Sequence, residues 1–237
     1  MLPLQLFFII FTFVAPPLFW WLGRRFSAPW YDRAVARGLA GVLLLAYAGD
    51  LTIKIYDGDL FTGRALPMQL CDWTLFAVAA ALWFGWRTGF ELGYFWGLGG
   101  TLQALFTPAI DANVGILRLF GFFLSHSIIV VGVVYLMLAR GFRPQPASLI
   151  RVAIASEIYF VTALITNGLT GQNYGFLAHK PPTRSMLDLF SDTWWLYVVQ
   201  LNLTGLVMFA FFYLPWLLVD RLRRRATSER TAPSPRA

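Results

Sequence analysis

Cys71 is the only cysteine of this 237-residue chain, and His126 is one of its two histidines. A thiol becomes a strong nucleophile when a base takes its proton or a positive field stabilises the thiolate, and an imidazole is the usual base. Such a pair carries out acyl transfer through a thioester, provided that the fold brings sulfur and ring nitrogen together. Around them stand Asp50, Lys54, Gln69, Asp72, Gln103 and Asn167, all in or at the mouth of apolar stretches. Ionisable groups cost several kcal/mol in hydrocarbon unless they face a protein interior or a watery cavity. The cluster is therefore a candidate site. Asp50, Asp72 and Asn167 are candidates to orient the imidazole, and Gln69, Gln103 and Asn167 to donate to an oxyanion.

The elements that must position these groups are membrane helices. Hydrophobic residues make up 58% of the chain and charged residues 13%, a profile of polytopic membrane proteins. Seven apolar stretches, at 2–22, 35–56, 67–86, 89–107, 119–139, 149–170 and 188–218, each approach or exceed the roughly 20 residues that a spanning helix needs. The fold class expected is an all-α, seven-helix transmembrane bundle over residues 1–220, with a basic, disordered cytoplasmic tail at 221–237. Residues 2–22 have no basic region before the apolar core, so they read as a retained first span and not as a secretory signal.

Charge sets the orientation. With the N-terminus outside, Arg24, Arg25, Arg33, Arg37, Arg87, Arg140, Arg143, Arg151 and six arginines of the tail fall inside, 14 in all. Only Arg64, Arg118, Lys180 and Arg184 fall outside, 4 in all. This is the positive-inside pattern, and an even number of spans would break it. Basic residues placed beside span ends argue for membrane contact and against a nucleic-acid partner. Gly93, Gly97 and Thr101, at four-residue spacing, suit close packing of the fourth helix on a neighbour.

Direction converts sequence position into depth. Asp50 and Lys54 fall in the last turns of an outgoing helix, four apart and able to pair. Gln69, Cys71 and Asp72 open the third helix, Gln103 closes the fourth, His126 lies about two turns into the fifth, and Asn167 closes the sixth. All fall in one layer near the outer face. Plain structural roles stand beside the chemical ones: Cys71 as a small apolar filler, His126 as a cross-helix hydrogen bonder, Asp50 with Lys54 as an internal ion pair. Glu157 reads as a proton-relay carboxylate or a packed acid, and His179 as an exposed loop residue or a lid. The chain has no nucleotide-binding lysine loop, zinc-binding helix, serine elbow or paired-cysteine motif. No metal or cofactor is implied.

The stretches Leu66-Pro67-Met68-Gln69-Leu70-Cys71-Asp72, Gly97 through Leu105, Phe123-Leu124-Ser125-His126-Ser127 and Asn173-Tyr174-Gly175-Phe176-Leu177 resemble the YwaF family of bacterial integral membrane proteins. That family is related to the animal transmembrane protein 164 group. The resemblance implies a seven-helix fold in the bacterial inner membrane. For the animal relatives it implies phospholipid acyl transfer through a cysteine and a histidine, here Cys71 and His126. The partners expected are the bilayer and a phospholipid or other acyl-lipid substrate. The function expected is thus a lipid acyltransferase or hydrolase. The rival is a small-molecule transporter or ligand-binding membrane protein that uses the same polar pocket.

Overall fold

The computed structural model describes residues 2–60, 62–108, 110, 114–181 and 185–231, with side chains as far as Leu222. Arg184 and the tail arginines beyond Leu222, which the charge argument used, lie outside the described side chains. Among the described residues the structure is helical, with no strand: α1 (Leu2–Phe26), α2 (Tyr31–Tyr56), α3 (Leu70–Phe84), α4 (Arg87–Trp96), α5 (Leu102–Phe106), α6 (Ile116–Arg140), α7 (Pro146–Thr170) and α8 (Trp194–Thr231). A π-helical turn, Gly97–Thr101, joins α4 to α5 into one rod, so seven rods match the seven apolar stretches. Five of them, α1, α2, α6, α7 and α8, are long and apolar enough to cross a bilayer. Helical backbone in α8 continues to Thr231, past the boundary drawn at Arg221.

The connections divide the bundle into two ends. Short connections at 27–30, 85–86 and 141–145, flanked by Arg24, Arg87 and Arg140 and containing Arg143, mark an arginine end. The segments 57–69, 107–115 and 171–193 mark a loop end. At the arginine end, ion pairs tie helices together. Arg151 meets the buried Glu91 with two hydrogen bonds, joining α7 to α4. Arg140 reaches Asp32 at 2.9 Å, and Tyr135 donates to the same carboxylate, joining α6 to α2. The buried Glu91 is tolerated because the Arg151 guanidinium meets both of its carboxylate oxygens.

The core lies where α3, α4 and α6 meet, and small residues make the meeting possible. A side chain on Gly93 would strike Val78 of α3 and Val133 of α6, and one on Gly132 would strike Val78 and Leu82. Gly97 has Ile129 on one side and Thr74 on the other, at 3.3 and 3.8 Å from where a Cβ would stand. The expected role of Gly93 and Gly97 in close packing is thus realised, and against two neighbours. Lipid tails are as apolar as leucine, so membrane helices associate through such close van der Waals contact. In contrast, α7 and α8 turn rows of apolar side chains outward, including Ile154, Ile158, Val161, Leu203 and Phe211.

α3 has only 15 residues, about 22 Å at 1.5 Å each and short of a hydrocarbon core of about 30 Å. Seven of those residues are buried, because the longer helices around α3 screen it from lipid. Replacement of Gly93 by leucine should destabilise the protein by ~1–3 kcal/mol through overpacking. Replacement of Gly41, which has nothing within 4 Å of its Cβ position, should be tolerated. Thermal unfolding in detergent micelles measures the difference.

Candidate functional site

The short α3 leaves its preceding backbone low in the bundle, and non-helical backbone at membrane depth must be satisfied by protein. Side chains do this. Trp73 Nε1 donates to the Pro67 carbonyl at 3.1 Å, and Tyr159 Oη donates to that of Met68 at 3.1 Å. Asp72 accepts from the Gln69 amide at 3.1 Å, closing a capping box at the start of α3. Cys71 therefore sits in the first turn of a well-capped helix, half-buried and free.

A second loop locks onto this one. Asn167, buried near the end of α7, accepts from the Tyr174 amide at 2.7 Å and donates to the Tyr174 carbonyl at 3.0 Å. Tyr174 Oη donates to the Gly63 carbonyl. The Gly175 amide donates to Gln69 Oε1 at 3.2 Å. Gly175 has φ of +63°, and a Cβ there would stand 2.6 Å from Tyr159 Oη. Only glycine fits this close approach. Gln69 and Asn167 are thus structural clasps between the loop before α3 and the loop after α7. Asn167 commits its amide oxygen and one of its two N–H bonds to Tyr174.

His126 is buried on α6. Its Nδ1 lies 2.8 Å from the Phe122 carbonyl and 3.3 Å from Ser125 Oγ, and the ring stacks on Phe122 with centroids 4.0 Å apart. A carbonyl only accepts, so Nδ1 must carry the proton. In the neutral imidazole Nε2 then holds the lone pair, the state that a general base requires. The orienting group is a backbone carbonyl of the same helix, not Asp50, Asp72 or Asn167.

Helix register relates Cys71 to His126. Thr74 and Ile129 flank Gly97 from α3 and α6. One turn toward the loop end, three residues earlier on each helix, stand Cys71 and His126, and residues three apart share a helix face. The rod from α4 to α5 runs the other way, so Thr101 lies at this same height. Among the described residues the hydrogen bonds of His126 go to Phe122 and Ser125, and none joins the imidazole to the Cys71 sulfur. The two groups share a level, from adjacent faces.

The other polar residues part company. Lys54 pairs with Asp50 at 2.6 Å and lies within electrostatic reach of Asp72 and Cys71, so α2 supplies a cation beside the start of α3. Gln103 faces elsewhere. It is exposed and donates to Met186 Sδ at 3.1 Å, lining an apolar groove of about 650 Å³ with Leu98, Leu102, Phe106, Leu189 and Met208. Gln103 thus belongs to a different surface from Lys54, Gln69 and Asp72. Glu157 is exposed on α7 and accepts from Asn202 at 2.8 Å. His179 is exposed in a turn held by the Asn173 side chain.

A family model described as the TMEM164 family matches residues 1–213. The chain belongs to the TMEM164 family. The match covers the first six helical rods and reaches into α8, and it names that family without separate support for the narrower YwaF name. No curated protein and no solved structure matches the chain. Family membership together with five bilayer-length apolar helices makes it a multi-pass integral membrane protein.

Sequence reasoning missed Thr101 as a polar group of this level and missed the π turn that carries it. The run Gly97-Leu98-Gly99-Gly100 was the available signal, since three glycines in four residues weaken an α-helical turn. Replacing Asn167 by alanine removes both bonds to Tyr174 and should cost ~1–3 kcal/mol. Faster limited proteolysis within residues 171–180, relative to wild type, is the expected readout. Unchanged cleavage there would show that the loop is held by other contacts.

Proposed function

We propose that this protein is a membrane enzyme that transfers or hydrolyses acyl esters of lipids, with Cys71 as nucleophile and His126 as general base. The observation that carries the reading is the tautomer of His126. Its Nδ1 proton is committed to the Phe122 carbonyl at 2.8 Å, which leaves Nε2 as a lone-pair acceptor at the height of the single cysteine.

Cys71 Sγ gives its proton to Nε2 and attacks the ester carbonyl carbon. The tetrahedral intermediate collapses, the alcohol oxygen leaves with the proton from His126, and an acyl thioester remains on Cys71. An acceptor hydroxyl or water, deprotonated by the same nitrogen, then releases the acyl group. Resting enzymes commonly hold nucleophile and base apart and close the contact when substrate arrives. The partner is a phospholipid or another acyl lipid. The basic residues at the arginine end support an inner-membrane placement with that end in the cytoplasm and the site near the outer leaflet.

A second reading, transport or binding of a small polar molecule, draws on the Asp50–Lys54 pair at 2.6 Å. An acyl-chain activity probe separates the two. Catalysis expects labelling of wild type, loss of label in Cys71→Ala and at least 100-fold slower labelling in His126→Ala. Transport expects Cys71→Ser to be tolerated and Asp50→Asn or Lys54→Met to abolish binding. Equal labelling of wild type and Cys71→Ala would end the enzyme reading.

A further inference from the structure

Resting on the ester-transfer reading, we infer that the Thr101 hydroxyl is the oxyanion donor of this site, a subsite for the carbonyl oxygen of an acyl ester. Oxyanion holes need donors that are fixed, desolvated and uncommitted before substrate binds. The amide side chains of this level are less suited. Gln69 is only half-buried and its oxygen is held by the Gly175 amide, Gln103 is exposed and turns toward Met186, and Asn167 ties its oxygen and one N–H to Tyr174.

Thr101 is better suited. It is 3% exposed, yet among the described residues its hydroxyl has no protein partner. Every other buried threonine bonds back into its own helix: Thr12 to the Phe8 carbonyl and Thr74 to the Leu70 carbonyl, each at 2.7 Å. A helical threonine ordinarily satisfies itself in this way, four residues back. For Thr101 that carbonyl belongs to Gly97, which in the π turn accepts from the Leu102 amide, and among the described residues the Thr101 hydroxyl makes no such backward bond. Single π turns inside helices recur at functional sites.

Its position fits the role. Thr101 follows Gly97 by four residues on a turn closed by five-residue bonds, so it returns to nearly the same side. Gly97 is the point flanked by Thr74 and Ile129, and Cys71 and His126 stand one turn above those two. The hydroxyl therefore lies on the third wall of the level that holds nucleophile and base. When sulfur adds to the ester, the carbonyl π electrons move to oxygen, and the Thr101 O–H donates to the oxyanion. On collapse the electrons return, the C–O bond to the alcohol breaks and the hydroxyl is released unchanged.

The experiment uses the full chain in lipid nanodiscs and two reagents that meet Cys71 differently. A p-nitrophenyl ester of a long-chain fatty acid acylates through an oxyanion, whereas iodoacetamide alkylates by direct displacement without one. Thr101→Val should acylate Cys71 ~100-fold more slowly than wild type and alkylate at an unchanged rate, and Thr101→Ser should keep near-normal acylation. If the valine variant does not fold, Thr101→Ser against Thr101→Ala gives the same comparison. Acylation of the valine or alanine variant at the wild-type rate overturns the inference. So does an equal loss of acylation and alkylation, which marks a structural role. Wild-type protein that alkylates at Cys71 but is never acylated there overturns the ester-transfer reading itself, and this inference with it.

Discussion

Close approach of three helices governs what the rest of this molecule can do. Between membrane helices the hydrophobic effect offers little, so adhesion comes from surfaces that interlock. Gly93, Gly97 and Gly132 remove side chains where Val78, Leu82, Ile129 and Val133 need the space. The result is a dry seam between α3, α4 and α6. Because the seam fixes how these helices slide against one another, it also fixes the heights of Cys71, Thr101 and His126 at its upper end. A shift of one turn in any of the three would move its residue about 5.4 Å from the others.

The second governing fact is that hydrocarbon forgives no idle backbone. α3 stops short of the loop end, and the exposed peptide groups before it are met by Trp73, Tyr159 and Asp72. The loop after α7 is met by Asn167, and the two loops are joined through Gln69 and Tyr174. Much of the polarity at the loop end of the bundle is thus architectural. Among the described residues, the Cys71 thiol, His126 Nε2 and the Thr101 hydroxyl take no part in this framework.

The helices were legible in the sequence because apolar length and flanking arginines follow from the bilayer itself. Their boundaries moved by a few residues, as with α3, expected over 67–86 and found over Leu70–Phe84. Counting residues along a helix also gives relative height, which is as far as sequence register reaches. Azimuth was not legible. Nothing in the position of Gln103 says that it turns toward Met186, and nothing in that of Asn167 says that its amide is spent on Tyr174. These outcomes depend on loops brought together from distant parts of the chain. The π turn was missed because the fourth stretch reads as an unbroken helix over 89–107 by hydropathy, and hydropathy does not register how a turn is closed.

His126 takes its orientation from Phe122, four residues back on its own helix. Many catalytic imidazoles instead rely on a carboxylate from elsewhere, which in a bilayer would mean desolvating an anion and keeping two helices in constant register. Here the ring travels with its support. Rocking of α7 or α8 to admit a large amphiphile would leave the protonation state of Nε2 untouched, so a passage for lipid can open without unmaking the base.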